Sequence, residues 1–401
     1  MTDRRTFLAS AASSLAALSV PNTARAADST VTLPFENGRR PVVAYPQKRP
    51  MIVLTPRPVQ LETPFSVFDK SVFTPNDEFF VRWHLSGVPT SVDGDAHRIF
   101  VMGTVGRRLT LSVDDLRHTF EPVEIAAVNQ CSGNSRGFFD PRVAGGQWTN
   151  GAMGNARWKG VRLRDILDRA GLSAGTKQIR FAGLDTAPFK ETPLFVKALD
   201  VDIARGDDVI VAYEMNGRPL PLLNGFPARL IVPGWYSTYW MKMLSRIEAI
   251  DHVEDNFWMK TAYRIPDTPN NSVAPTDKGY ATIPINRMRV RSFVTNIADG
   301  AHLVAGPQLV RGIAFDGGSG IAKVDYSLDG GTTWLPTTLG PDYGKYSFRQ
   351  WSGPFRPRTG IPYKIACRAT AVDGATQTST PTWMPAGYQR NIIETYAVTA
   401  G

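Results

Sequence analysis

Short runs of β-branched and aromatic residues, each closed by a turn signal, limit what this 401-residue chain can fold into. Between Glu78 and about Val253 the runs FFVRWHL, HRIFVMGTV, QIRFAGL, DVIVAYEM and ARLIVPG have strand length and strand composition. They alternate with helical stretches such as LRDILDRAG, which predicts a mixed α+β domain. Upstream, residues 27 to about 75 are rich in proline and lack sustained periodicity, which predicts a wrap over the surface before the core begins. Arg264 to Gly279 is dense in Pro, Asn, Ser and Thr and reads as a long loop or linker. Beyond it Val324, Tyr326 and Leu328 alternate ahead of an Asp329-Gly330 hairpin turn, and strands recur to the end. This predicts a β-sandwich from about Ile283 to Gly401.

A composition of 42% hydrophobic and 20% charged residues is that of a globular chain with room for two or three cored domains. The net charge of +9 comes from scattered Lys and Arg without long runs, so no nucleic-acid partner is expected. An anionic small substrate or an acidic protein partner suits such a surface. At the N-terminus, Arg4 and Arg5 precede Thr-Phe-Leu, a weakly apolar stretch runs from Ala9 to Val20, and Ala24-Arg-Ala26 offers small residues for cleavage. Residues 1–26 are therefore expected to be a twin-arginine signal peptide that exports a folded protein to the periplasm. The apolar stretch is shorter than the roughly 20 residues of a membrane span, and no membrane span is expected elsewhere.

The chain has two cysteines. Cys367 lies in YKIACRATAV, where Ile365, Cys367, Ala369 and Ala371 share one face at period two, so it reads as buried strand core. Cys131 sits in the polar loop AAVNQCSGNSRGFF, unlike a cysteine that serves packing alone. The two are expected to remain free rather than to form a disulfide, and Cys131 to carry chemistry. The five histidines are far apart, and HExxH, CxxC, the haem-attachment motif CxxCH, a glycine-rich phosphate loop and the GxSxG elbow are all missing. A prosthetic group here would need some other motif.

The stretches FFVRWHLSGVP, NQCSGNSRGFF, GNARWKGVRLRDIL, AYEMNGRPLPLLNGFPARLIVPGWYSTYWMKML and WMKTAYRIP closely resemble, in this order, the sulfite oxidase family of molybdenum enzymes. The likeness covers nearly all of the chain beyond the signal segment. It implies an α+β fold with a sulfite-oxidase-type molybdopterin domain over residues 27–282, followed by an immunoglobulin-like β-sandwich of the dimerisation type over 283–401. It further implies one molybdenum-molybdopterin per chain and, with no haem motif in this chain, electron transfer to a separate periplasmic c-type cytochrome, transient or held as a stable second subunit. Within the family, the export signal makes the chain most similar to the molybdenum-binding catalytic subunits of bacterial sulfite dehydrogenases.

By the same resemblance Cys131 is the thiolate ligand of the metal, a soft anionic sulfur suited to a redox centre. Arg82 and Arg136 are expected to face sulfite, and Tyr263 to stand at the reacting centre. Two arginines in one pocket repel unless an oxyanion supplies the missing charge. His84, two residues beyond Arg82 in an extended run, is expected to point the same way. Neighbouring cations are expected to favour the ionised form of Tyr263. Phe80, Arg82, His84, Asp185, Asn224, Arg229, Trp240 and Lys242 are the implied cofactor-binding set, with Arg229 and Lys242 as phosphate clamps. Asn224 stands where animal sulfite oxidases have histidine, and Trp240 likewise, yet each still offers a hydrogen-bond donor. A third substrate-facing basic residue is not placed by the likeness.

The implied reaction is oxidation of sulfite to sulfate. A reductase of S-oxides or N-oxides on the same cofactor is the alternative, and a non-catalytic binding or assembly protein, free of molybdenum, is a third reading from a different class.

Overall fold

The structure is a computed structural model that describes residues 30–33, 38–43 and 45–401. The expected signal segment 1–26 lies outside the described residues. The three sheets that surround the site come from the first 250 residues. The first is an antiparallel sheet whose five strands follow chain order, Thr30–Leu33, Gly38–Val43, Met51–Pro56, Val59–Glu62 and Val81–Arg82. This corrects the expectation of a surface wrap before residue 75. Met51 and Leu61 are fully buried and pack with Val53, Val81, Trp83 and Met243 as a small core of their own. Pro56 closes the strand Met51–Pro56 and Pro58 lies in the turn that follows, where a missing N–H costs the ladder nothing.

The second sheet is mixed, with Gln178–Ala182 between Val196–Asp200 and Arg246–Ile250, the last running parallel to Ile99–Gly103. The third is built on the long hairpin of Pro122–Gln130 with Met153–Arg162, extended by Ile210–Met215 and by Arg229–Ile231. Gly160 in this hairpin lies so close to the next strand that a Cβ would sit 2.1 Å from the carbonyl oxygen of Val211. The LRDILDRAG stretch forms the helix Leu163–Ala170, which buries Leu163, Ile166, Leu167 and Ala170. Gly171 ends it at φ 70, donating its N–H to the carbonyls of Leu167 and Asp168.

From residue 291 onward two further sheets face each other. One orders Arg291–Val294, Gln308–Phe315, Arg349–Phe355 and Thr338–Leu339; the other orders His302–Leu303, Thr395–Ala400, Tyr363–Ala371, Ile321–Ser327 and Leu335–Pro336. Val324, Tyr326, Trp351, Ile365, Cys367 and Val398 pack between them. The period-two face predicted for Ile365, Cys367, Ala369 and Ala371 is buried throughout, and both cysteines are free. Burial pushes the Cys367 thiol up to about 12, so it is an inert apolar filler. Phe293, Ile313, Phe315, Phe348 and Met384 turn the other way and join the larger core of the preceding sheets. Among the described residues, no helix is long and apolar enough to cross a membrane.

Candidate active site

Cys131 is the first residue beyond the hairpin strand Pro122–Gln130, and its N–H bonds the carbonyl of Ala152 at 2.9 Å on the partner side. The strand pairing thus fixes the backbone of Cys131, a residue only 5% exposed. A tight turn follows, with Asn134 N–H on the Cys131 carbonyl at 3.0 Å, and leads to the short helical turn Arg136–Phe138. Ser135, just before Arg136, holds the left-handed conformation at φ 70, which a side chain seldom adopts without support from its surroundings. Arg136 is aimed by Nε on the Ala386 carbonyl at 3.0 Å and by one terminal nitrogen on the Gly146 carbonyl at 3.2 Å. Its guanidinium lies 5.2 Å from the centre of the Tyr388 ring. Gly133 makes room for it, because a Cβ there would stand 2.5 Å from the guanidinium nitrogen.

Tyr263 stacks on Tyr388 with ring centres 5.6 Å apart, and its hydroxyl meets His84 Nε2 at 2.6 Å. It too is left-handed, at φ 58. His84 is sandwiched on the Phe195 ring at 3.5 Å, with Trp258 edge-on at 5.4 Å. Burial, and then the charges of Arg82, Lys242 and Lys197, hold the His84 pKa well below the ordinary value, so the imidazole is neutral. Tyr263 lies within electrostatic reach of Arg82, Arg136 and Cys131. The expectation that cations ionise this phenol is corrected: burial is the larger effect and raises its pKa, so Tyr263 keeps its proton.

Beside this group a narrow cavity is lined by Phe80, Arg82, His84, Asn129, Asn224, Arg229, Ser237 and Lys242. Arg82 enters from the edge strand of the first sheet, Asn224 and Arg229 from the Pro221–Ile231 segment, and Lys242 from the turn after Trp240. Asn224 donates to the Phe80 carbonyl at 3.1 Å and accepts from Lys48 Nζ at 2.5 Å. Arg229 donates to the Asn224 carbonyl at 2.8 Å and lies over the rings of Trp158 and Trp240 at 5.1 and 5.8 Å. Lys242 Nζ reaches the Arg82 carbonyl at 2.9 Å and sits 4.4 Å from the Trp83 ring centre. Asp185 is buried near Lys242 and Arg82, and burial raises its pKa against their pull.

The set implied by resemblance is thus largely brought together, with two refinements. Trp240 spends its indole N–H on the Trp235 carbonyl at 3.0 Å and its backbone N–H on the Ser237 carbonyl, so it contributes a ring face beneath Arg229 and no donor to the cavity. Phe80 contributes its carbonyl, while its ring stacks on Phe79. Sequence reading missed Lys48, whose Nζ also donates to the carbonyls of Asn76 and Phe79 at 2.7 and 2.8 Å. It missed Asn129, Tyr388 and Lys197 as well, the last buried with Nζ 5.3 Å from the Tyr263 ring centre. A lysine inside a proline-rich segment carries no local signal of burial. Asn129, however, stands two residues before Cys131 at strand period, and that signal was readable.

The cavity is short of negative charge. Burial pushes Lys48 and Lys242 down to about 7 and Arg229 down to about 9, with Arg229 adding to the effect on both lysines. Arg82 NH1, Arg229 Nε and Asn129 Nδ2 are buried donors with no hydrogen-bond partner among the described residues. Unmet donors of this kind are costly unless a ligand satisfies them. An acceptor-rich anion such as the phosphate and pterin of molybdopterin fits both the charge and the donors. Among the described residues, no three of His, Cys, Asp and Glu are grouped to hold a metal ion. Cys131 therefore fits a metal that arrives with its other ligands already attached.

Comparison with known proteins shows the family. Residues 84–258 match the oxidoreductase molybdopterin binding domain. Chicken (Gallus gallus) sulfite oxidase is 32% identical over 373 residues, covering 88% of this chain and 78% of that protein. The chain belongs to the sulfite oxidase family of molybdenum enzymes. Mitochondrial sulfite oxidase of rat (Rattus norvegicus) is 35% identical over 311 residues, 73% of this chain. The match takes in 54% of the rat protein, so the chain spans about half the length of the mammalian relatives it matches. The solved sulfane dehydrogenase SoxCD from Paracoccus pantotrophus shares the fold, with a TM-score of 0.74 over 86% of this chain and 85% of that one, at 23% identity.

Proposed function

We propose that this family member oxidises sulfite to sulfate at a molybdenum-molybdopterin centre and hands the electrons to a separate c-type cytochrome in the periplasm. The observation that carries the reading is that Arg82, Arg136 and Cys131 all lie within electrostatic reach of Tyr263, with Arg82 NH1 having no hydrogen-bond partner among the described residues. Two guanidinium groups about one tyrosine suit a small oxyanion, which accepts several charge-assisted hydrogen bonds at once. A neutral S-oxide or N-oxide would leave that charge unused.

The residues divide the work. Arg229, Lys242, Lys48 through Asn224, and Asn129 would hold the phosphate and pterin, and Cys131 would ligate the metal as a thiolate. The bound group supplies a metal that cycles by two electrons and exchanges an oxygen atom. Arg82 and Arg136 would bind the oxygens of sulfite through charge-assisted hydrogen bonds. Tyr263 keeps its proton on Oη; with His84 neutral and donating Nε2–H to that oxygen, the phenol proton would be free to be offered to the reacting oxygen. The aromatic wall of Phe195, Trp258 and Tyr388 keeps bulk water from the pocket. Converting sulfite and water to sulfate releases two protons and two electrons, so a base in solution and an external acceptor complete the cycle. We extend the reading to a catalytic domain over 27–282, an immunoglobulin-like sandwich over 283–401, and export through residues 1–26 by the twin-arginine route.

The test is sulfite-dependent reduction of ferricyanide by the cofactor-loaded chain, with nitrate and sulfoxide reduction measured in the same preparation. Rapid ferricyanide reduction by sulfite supports the reading. Reduction of nitrate or sulfoxide without sulfite turnover would move the reductase alternative to first place.

A further inference from the structure

The loop that carries Cys131 and Arg136 is clasped by residues 150 to 260 positions later in the chain. Arg291 is 1% exposed, donates from one terminal nitrogen to Ser135 Oγ at 2.9 Å, and pairs through the other with Glu394 Oε1 at 3.0 Å. Arg390 forms an ion pair with the same Glu394 oxygen, and its guanidinium lies 5.0 Å from the centre of the Phe138 ring. Ser135 Oγ donates onward to Asn150 Oδ1 at 2.5 Å. Gln389, left-handed at φ 57, sends its N–H to the Ser132 carbonyl at 3.2 Å. Thus the turn just before Arg136, itself left-handed at Ser135, is held by a buried arginine that belongs to the C-terminal sheets.

Burying a guanidinium is expensive, and an apolar side chain would fill the same space with equal or better stability. What an apolar side chain lacks is a planar fork that bonds two elements in fixed directions. We propose that Arg291 is a positioning residue for the substrate site: bridged to Glu394 and Ser135, it fixes the left-handed turn that aims Arg136 at the bound oxyanion. The assignment of the oxyanion rests on the sulfite reading given above; the clasp itself does not.

Two readouts test it on the cofactor-loaded full chain, amide hydrogen exchange and steady-state kinetics. In Arg291→Gln, exchange across residues 132–139 is expected to rise by on the order of tenfold, with the strands Gln308–Phe315 and Tyr363–Ala371 unchanged. The KM for sulfite is expected to rise by about one to two orders of magnitude while kcat changes far less. Arg291→Lys, which reaches either Ser135 or Glu394 but not both, should recover only part of the loss. Unchanged exchange in 132–139 together with an unchanged KM would overturn the proposal, as would a uniform loosening of the C-terminal strands. If Arg291→Gln does not fold, Ser135→Ala removes the acceptor while keeping the Arg291–Glu394 pair, and the same two outcomes decide. Exchange needs no substrate, so a wild-type chain that fails to turn over sulfite sinks the sulfite reading and leaves the clasp separately tested.

Discussion

At the scale of single residues the site is governed by what each buried polar atom lacks. Cys131 is held by its backbone bonds to Ala152 and Asn134, neither of which involves the sulfur. Cys131→Ser should therefore keep the fold, with a melting curve displaced by no more than about 1 kcal/mol of stability, and lose sulfite turnover. Normal turnover in that variant would remove Cys131 from the metal. Arg136→Gln keeps a planar donor but deletes the charge, which costs about 1.5 to 3 kcal/mol for a hydrogen bond to a charged group. The KM for sulfite should rise by roughly tenfold to a hundredfold, and a titration by initial rates reads it directly. An unchanged KM would place the oxyanion elsewhere.

At the scale of elements, the loop Cys131–Phe139 is a rigid bracket between a long hairpin and the C-terminal strands, and glycines make it possible. A Cβ on Gly133 would stand 2.5 Å from the terminal nitrogen of Arg136 and 2.6 Å from its central carbon. The offended atoms are the far end of a flexible side chain, so Gly133→Ala should fold and displace the guanidinium. An expected loss in kcat/KM of about a hundredfold, for a displacement near 1 Å, is checked by kinetics, with a crystal structure showing the moved side chain. Much of this bracket was legible beforehand: the Asn-Gln-Cys strand end, the Ser-Gly-Asn turn and Arg136 all stand in one stretch of sequence. The opposing half was not, because Ala386, Tyr388 and Gln389 lie some 250 residues away, in a stretch whose composition marks it only as a turn between strands.

At the scale of the whole molecule the dominant feature is a set of buried lysines, Lys242 lining the cavity, Lys48 bonded to Asn224 and Lys197 beside Tyr263. Lys48, Lys197 and Lys242 have pKa values lowered to about 7, against the ordinary 10.5, chiefly by burial. Between these values the unfolded chain binds more protons than the folded one, so stability rises with pH through this window. Below about 7 the full cost of burying the three charges is felt. Cofactor-free chain should accordingly melt higher at pH 9 than at pH 7, and the loaded chain, in which a bound anion would hold the proton of Lys242, should show a flatter profile. Thermal melts of both forms check this; equal slopes would mean that the anion does not sit at Lys242. The sequence by itself determined which faces of the strands turn inward, where the Leu163–Ala170 helix stops, and the likeness that nominated Cys131 and its companions, because periodicity and turn chemistry act over a few residues. Only the tertiary structure decided that the proline-rich segment delivers Lys48 to Asn224 across 176 positions, that Trp240 spends its indole donor internally, that Tyr263 keeps its proton, and that Arg291 bonds Ser135 in the Cys131–Phe139 loop. Burial and long-range pairing set those outcomes, and neither is written in the spacing of neighbouring residues.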